Sequence, residues 1–294
     1  MKLIISRLKI IPPQFITLLF ILSISFSVFP KSKAEEYKKN LKNDSLDYSW
    51  EKFSVSLGGF ISGLSTDILF GNEQVGLGIA INMEDALGLE TTNLVFRGET
   101  EYNFGRRDRH QIGFGYFGFF RASTKVLESD IAISGQIFPI GSEVNSRYDL
   151  QIFKTAYQYS YFVDKRVKLG ASLGLFIMPI SFSVSSLGFS DKATSFTAPL
   201  PVLGLDANFA ITPKLYIKQG IEVLYLQIAE FKGAITDINF RLEYTPWKHI
   251  GFGIGYDSYM LSIERDDPGN GLISFVGSIR SGYTGLLFYG KFQF

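Results

Sequence analysis

The sequence has no cysteine and only two histidines in 294 residues. The missing thiols exclude disulfide bonds, a cysteine nucleophile and thiolate metal sites. The two histidines, His110 and His249, leave little material for general acid–base catalysis by imidazole. The composition therefore gives no support to an enzyme with a thiol or imidazole centre.

The chain also lacks an excess of charge and, after its first thirty residues, a long apolar run. The formal net charge is +1 at pH 7, which removes the electrostatic argument for nucleic acid as a partner. No stretch beyond residues 15–29 approaches the ~20 apolar residues that span a bilayer as a helix. Neither a nucleic-acid-binding protein nor a helical membrane protein is predicted.

What the chain does have, from Trp50 onward, is strict alternation and many aromatic residues. It contains 28 phenylalanines and 15 tyrosines. In 93–104 the residues Leu94, Phe96 and Tyr102 share one face of a strand, while charges occupy the other face, and 237–244 repeats the pattern. A lipocalin-like soluble barrel would place these charges in an apolar cavity and expose the aromatic residues to water. The polar and apolar faces of this sequence are therefore the reverse of what that fold requires.

The last strand carries the most specific signal. The run 284–294 alternates to its end, with Phe288, Phe292 and Phe294 on its apolar face. A soluble sheet strand is the alternative for this run taken alone. A terminal aromatic on an amphipathic final strand resembles the assembly signal of bacterial outer-membrane β-barrels. The resemblance implies the barrel-assembly machinery as a partner through this strand, and outer-membrane lipid and lipopolysaccharide as surroundings.

The resemblance covers about residues 53–294 together with the export signal. It predicts an all-β fold in which residues 50–294 form a transmembrane antiparallel up-and-down β-barrel of about ten strands. Alternate connections are short turns, which places both termini in the periplasm. A count of twelve follows if 76–82 and 131–138 also span. The ten predicted strands are 53–64, 93–104, 110–122, 148–162, 167–182, 200–211, 214–228, 235–244, 249–262 and 281–294.

The amino-terminal segment has the order of an export signal. Basic residues precede the apolar stretch 15–29, Pro30 breaks it, and Ser32 and Ala34 offer small residues to a signal peptidase. Residues 1–34 are predicted to be a cleaved signal peptide, with an uncleaved anchor as the alternative. The charge-rich residues 35–49 are predicted to be a periplasmic linker.

Alternation places fourteen charged side chains inside the predicted barrel, because lysine or arginine facing lipid near the midplane costs about 2–4 kcal/mol. Acids and bases balance, which favours a network of ion pairs filling the lumen; the alternative is a polar path for small solutes. Glycines on the same face, such as Gly113 and Gly255, leave room for water or for long neighbours such as Arg241. The predicted network comprises Arg97, Glu99, Glu101, Arg121, Lys154, Lys168, Asp206, Lys218, Glu222, Asp237, Arg241, Glu243, Asp257 and Lys291.

Residues 76–89 form the least ordinary connection. Three apolar residues alternate up to Asn82, which is predicted to cap one helical turn that Gly88 ends. One hypothesis folds this piece into the barrel mouth, with Glu84 and Asp85 reaching lumenal arginines. An extended hairpin above the membrane is the alternative.

Catalytic, cofactor and metal sites are not predicted. Both histidines precede strands that leave short turns, the end opposite the usual active sites of enzymes of this class. Carboxylate chemistry by Glu128, Asp130 or Glu143 is the remaining enzymatic alternative, and 266–271 is first of all a turn, with weak calcium binding as a second interpretation.

The sequence therefore predicts a narrow, porin-like pore or small-solute channel with a charge-paired lumen. A structural or surface-interaction barrel without transport is the alternative, and an outer-membrane enzyme is the third. The oligomeric state stays open.

Overall fold

Ten long strands account for most of the chain. The computed structural model describes residues 50–72, 76–77, 81–133, 136–188, 192–228, 231–265 and 277–294. The strands are β1 (Phe53–Asn72), β2 (Thr92–Phe104), β3 (His110–Val126), β4 (Glu143–Val163), β5 (Val167–Ser186), β6 (Lys192–Thr212), β7 (Leu215–Ile228), β8 (Phe231–Tyr244), β9 (Ile250–Arg265) and β10 (Gly277–Gln293). The predicted signal peptide, the predicted linker and the turn 266–271 lie outside the described residues.

The strands close into a barrel. Each pairs antiparallel with its neighbours in sequence, and β10 pairs with β1 from Ser54 opposite Gln293 to Phe70 opposite Gly277. Closure leaves no unpaired sheet edge among these ten strands. The predicted ten-stranded, up-and-down antiparallel barrel is confirmed.

The twelve-strand alternative is wrong. Gly76–Leu77 and Ile81–Asn82 are two-residue strands that pair back onto the end of β1. Ile131–Ile133 and Gln136–Phe138 pair only with each other in a separate hairpin. Both pieces are too short to span a membrane, which takes about 9–11 residues of tilted strand.

The two ends of the barrel differ. At the short-turn end the connections are 105–109, 164–166, 213–214 and 245–249; at the long-loop end they include 73–91 and 127–142. One short helix, α1 (Met83–Leu87), lies in the first long connection. No helix among the described residues has the length and apolar character needed to cross a membrane.

Several strands extend further toward the long-loop end than predicted. β4, β5 and β6 have 21, 20 and 21 residues, about twice the length that a bilayer requires. The predicted strands were kept near the length that a spanning strand needs, although period-two alternation continues beyond their ends.

The polarity of the two strand faces exchanges along these extensions. On β5 the inner face begins with Lys168 and Ser172 and continues with Phe176 and Ile180, all of which point into the barrel. The outer face changes in the opposite direction, from apolar to polar, at Leu169, Leu173, Ile177, Ser181, Ser183 and Ser185. The short-turn half thus has an apolar exterior and a polar interior. The long-loop half has a polar exterior and an apolar core, as a water-soluble barrel does.

Candidate functional site

The interior of the barrel is divided into two compartments. The half toward the short turns, here called the chamber, holds buried charged and polar side chains. The half toward the long loops is filled by one hydrophobic cluster that includes Phe60, Phe119, Phe176 and Leu261, each at most 1% exposed. The described interior is therefore polar at one end and filled by packed apolar side chains at the other.

Arg97 is at the centre of the chamber. Its guanidinium bonds the carboxylate of Asp257, and its Nη2 lies 2.7 Å from Oε1 of Glu99. Glu99 also accepts from Nη1 of Arg241 at 2.5 Å. Arg97 and Asp257 are 3% and 0% exposed, so each requires the other as a partner.

A second cluster closes the short-turn end. Nζ of Lys291 lies 2.6 Å from Oε1 of Glu51 and 2.7 Å from Oε2 of Glu243. Nζ of Lys218 lies 2.7 Å from the same oxygen of Glu51 and 3.6 Å from a carboxylate oxygen of Glu101. The two lysines thus contact carboxylates from three segments of the chain.

The remaining chamber residues are less completely paired. Lys154 bonds Glu222, and Lys168 donates to Oδ1 of Asn103 at 2.5 Å. Among the described residues, Oδ2 of Asp206 and Oδ1 of Asp237 have no hydrogen-bond partner. The structure thus brings thirteen of the fourteen predicted network residues to the chamber. It leaves three described carboxylates there, Asp206, Asp237 and Asp257, each with one oxygen that has no hydrogen-bond partner.

Arg121 is the exception, because it lies in the apolar half. Its Nη1 lies 2.5 Å from Oε1 of Glu84 in α1, and its Nη2 donates to Oγ1 of Thr66 at 2.5 Å. Glu84 also accepts the backbone N–H of Thr66 at 2.9 Å. The pair forms a polar latch between the first long connection and the barrel wall.

The first long connection folds over the barrel mouth. Oδ1 of Asn82 accepts the backbone N–H of Asp85 at 2.9 Å, and Gly88 ends α1 with a φ of 71°, as predicted. Met83 and Leu87 are buried at 0% and 1% exposure. Asp85, expected to reach a lumenal arginine, is instead exposed, because the helix turns its side chain away from the core.

A cavity of about 110 Å³ remains in the chamber, lined among others by Glu101, Asp206 and Asn239. It has room for a few water molecules. Gly113 and Gly115 line this space, whereas the space over Gly255 is taken by Arg241 and Leu287, with Cγ of Arg241 3.4 Å from a Cβ placed there. Both interpretations of the lumenal glycines therefore hold, at different positions.

The residues considered for catalysis are dispersed. His110 and His249 lie at the short-turn end, where their Nδ1 atoms contact the Tyr157 hydroxyl at 2.6 Å and the Gln293 carbonyl at 2.9 Å. Oδ1 of Asp130 accepts the backbone N–H of Ile140 at 2.8 Å, and Glu128 is exposed beside Lys125. Among the described residues no cluster of histidine and carboxylate side chains is arranged to hold a metal ion.

Two residues of the chamber were missed by sequence reasoning. Glu51 and Trp50 precede the first strand, and alternation says nothing about residues outside a strand. Trp50 donates from Nε1 to the carbonyl of Asp164 at 2.8 Å and contacts the ring of Tyr216 at 5.9 Å. Trp50 and Glu51, here called the anchor, hold the chain against the short-turn end of the barrel.

The anchor is predicted to release in acid. Burial alone would raise the pKa of Glu51, but Lys218 and Lys291 hold that pKa well below its ordinary value. A carboxyl with a depressed pKa stabilises the fold fully above its unfolded value, about 4.3, and loses that contribution as the pH falls through the folded value. In a Trp247→Phe background, we expect the emission of Trp50 to shift to the red below about pH 4.

The control for this titration is Glu51→Gln in the same background, in which the acid transition of Trp50 should be absent. An acid transition of equal size in the Gln variant would show that another group controls the anchor.

Comparison with known proteins bears on the fold. No protein-family model and no curated protein matches the chain. Among solved structures, the outer membrane protease OmpT of Escherichia coli matches with a TM-score of 0.52 at 11% identity, covering 85% of this chain and 99% of that one.

Two further structures match with lower scores. Ail, the attachment invasion locus protein of Yersinia pestis, gives a TM-score of 0.37 at 10% identity, covering 83% of this chain and 99% of that one. The toluene transporter TodX of Pseudomonas putida gives 0.33 at 8% identity, covering 83% and 89%. The likeness to OmpT bears on the fold alone at this identity, and the two lower scores add nothing to it. The chain has the closed, ten-stranded, antiparallel fold of bacterial outer-membrane β-barrels.

Proposed function

We propose that the protein is a sealed barrel of the bacterial outer membrane that acts through contacts made by its external loops. The observation that carries the proposal is the exchange of polarity along the strands. An apolar core with a polar exterior is the construction of a water-soluble domain, so the long-loop half is built to stand in water above the bilayer. It forms a rigid base for the loops.

The orientation follows from the connections. Short turns face the periplasm and longer loops face outward in barrels of this class. Export by the predicted signal peptide and assembly through β10 are part of the proposal. Phe288, Phe292 and Phe294 support it, because all three face outward and are between 49% and 67% exposed, as lipid-facing residues of a final strand would be.

Sealing is the testable core of the proposal. Buried apolar side chains and the covering connection 81–89 occupy the long-loop half. We expect the purified protein, inserted into planar bilayers, to produce no stable conductance at moderate voltage. Reproducible, ion-selective conductance steps from the unmodified chain would contradict a sealed barrel and would favour the narrow pore instead.

A gated pore is the second candidate, favoured by the cavity of about 110 Å³ in the chamber and by the latch on α1. Opening would require the Glu84–Arg121 pair to separate and the segment 82–89 to leave the mouth. Deleting 82–89 tests this candidate by conductance and stability together. A deletion variant with unchanged stability and no current would eliminate the segment as a gate.

Contact by the loops is tested on cells that express the protein. Val126 at the end of β3 and Ile137 and Ile140 in the second long connection are 54–64% exposed, and together they form an apolar surface that water does not favour. Replacing residues 128–141 by a short Gly-Gly turn should reduce adhesion of these cells to host-cell or envelope surfaces while the heat-dependent gel shift of the folded barrel persists. Unchanged adhesion would exclude this loop as the contact surface.

A further inference from the structure

The short-turn end of the barrel carries a strongly basic rim. Apart from Glu51, whose carboxylate is buried in the chamber, the four turns and the approach to β1 hold eight basic side chains against two acidic ones, Asp108 and Asp164. Every turn contributes at least one base. The basic residues are Lys52, Arg106, Arg107, Arg109, Lys165, Arg166, Lys214 and Lys248.

Asp164 is engaged with the backbone of its own turn. Oδ1 of Asp164 accepts the backbone N–H groups of Arg166 and Val167 at 2.7 and 2.6 Å, which fixes the turn. Within the described part of the chain, no ion pair joins Arg106, Arg107 or Lys248 to a carboxylate. These three cations are exposed, and none of the described carboxylates neutralises them.

The rim lies at the depth of lipid headgroups. Outward-facing aromatic side chains occur beside it, with Tyr161, Trp247 and Phe294 exposed by 55%, 61% and 67%. Aromatic girdles mark the two membrane interfaces of such barrels, because their rings favour the boundary between acyl chains and headgroups. Lys248 directly follows Trp247, so its ammonium lies within reach of the headgroup layer.

We propose that the basic rim binds anionic phospholipid headgroups in the periplasmic leaflet. The proposal rests on the orientation given above and is independent of whether the barrel conducts. Charge complementarity identifies the lipid, because Arg106, Arg107 and Lys248, which pair with no described carboxylate, attract phosphate groups at this depth. Arginine adds geometry, since its guanidinium can donate two parallel hydrogen bonds to one phosphate.

Trp247 provides a built-in reporter. The chain has two tryptophans, so a Trp50→Phe variant leaves Trp247, beside the rim, as the single tryptophan. The variant is refolded into phosphatidylcholine vesicles that contain the same fraction of either brominated phosphatidylglycerol or brominated phosphatidylcholine. We expect at least about twofold stronger quenching by the anionic lipid at ~0.01 M salt, and loss of that difference near ~1 M salt, where charges are screened within a few ångströms.

Two triple variants that lose the same charge distinguish an effect of the rim on lipid binding from an effect of the protein's net charge. Arg106→Gln, Arg107→Gln and Lys248→Gln together should abolish the preference for the anionic lipid. Arg147→Gln, Lys192→Gln and Arg280→Gln remove the same charge at the long-loop end and should leave the preference intact. A heat-dependent gel shift establishes that both triple variants are folded.

Three results would overturn the proposal. Equal quenching by the two brominated lipids would show that the anionic lipid is not enriched. A preference that survives the rim substitutions would place the lipid site elsewhere. Salt-sensitive binding of soluble polyglutamate to the rim, with no enrichment of phosphatidylglycerol, would assign the rim to an acidic polymer of the periplasm.

Discussion

Replacing Arg121 with methionine is expected to lower the free energy of unfolding by about 3–5 kcal/mol, the usual cost of removing one partner of a buried ion pair. The side chains of Arg121 and Glu84 are 1% and 5% exposed, and apolar residues surround them. The substitution leaves a carboxylate in that environment without its counter-charge. Equilibrium unfolding in urea, in detergent micelles or vesicles, measures the loss.

Two further variants make this result specific. Arg121→Met combined with Glu84→Leu should recover most of the stability, because an apolar pair of similar volume often replaces a buried ion pair at little cost. Arg147→Met removes an arginine whose Nε lies 2.8 Å from Asp149 but whose side chain is 62% exposed, and should cost no more than about 1 kcal/mol. Equal losses for Arg121→Met and Arg147→Met would contradict a buried latch.

Gly285→Ala is expected to prevent closure of the barrel in a large fraction of molecules. A Cβ at position 285 would lie 2.1 Å from the carbonyl oxygen of Ile61 and 2.7 Å from Cα of Ser62. Both atoms belong to the backbone of β1, so no side-chain rotation relieves the overlap and the pairing of β10 with β1 must shift. The cost should reach about 3 kcal/mol or more, the upper end of overpacking.

Gly290→Ala, on the same strand, is the matched control, because a Cβ at position 290 meets nothing within 4 Å. Its effect should stay within about 0.5 kcal/mol. The heat-dependent gel shift gives the folded fraction of each variant. A Gly285→Ala protein that folds as completely as Gly290→Ala would show that the seam between β1 and β10 is wider than the structure has it.

The strands were predictable because alternation is local. Two consecutive residues such as Phe96 and Arg97 identify the apolar and the polar face of a strand without knowledge of the strand it pairs with. The short turns follow from the gaps between alternating runs. The full length of the extensions was not predicted, because the predicted strands were kept near the length that spans a bilayer. The signal was present on β5, where Ser181 and Ser183 continue the alternation of Leu169 and Leu173 with opposite polarity.

The pairings inside the barrel could not be predicted in the same way. Arg97 and Asp257 are 160 residues apart, and which charges meet across a lumen depends on strand tilt, register and closure, none of which one strand encodes. Glu51 illustrates the same limit, since its partners Lys218 and Lys291 lie on strands far along the chain. The cap at Asn82 was predicted correctly because a cap depends on only three neighbouring residues.

The exchange of polarity along the strands also fixes how deeply the protein sits in its membrane. A barrel with an apolar exterior along its whole length can shift along the bilayer normal when thickness changes. Here a shift toward the long-loop side would bring apolar residues such as Leu173 into water. A shift toward the short-turn side would bring Ser181 and Ser183 into the hydrocarbon layer. The level at which the outer face changes from apolar to polar thus fixes the position of the bilayer surface along the strands. A bilayer of a different thickness must thin or thicken around the protein to match that level.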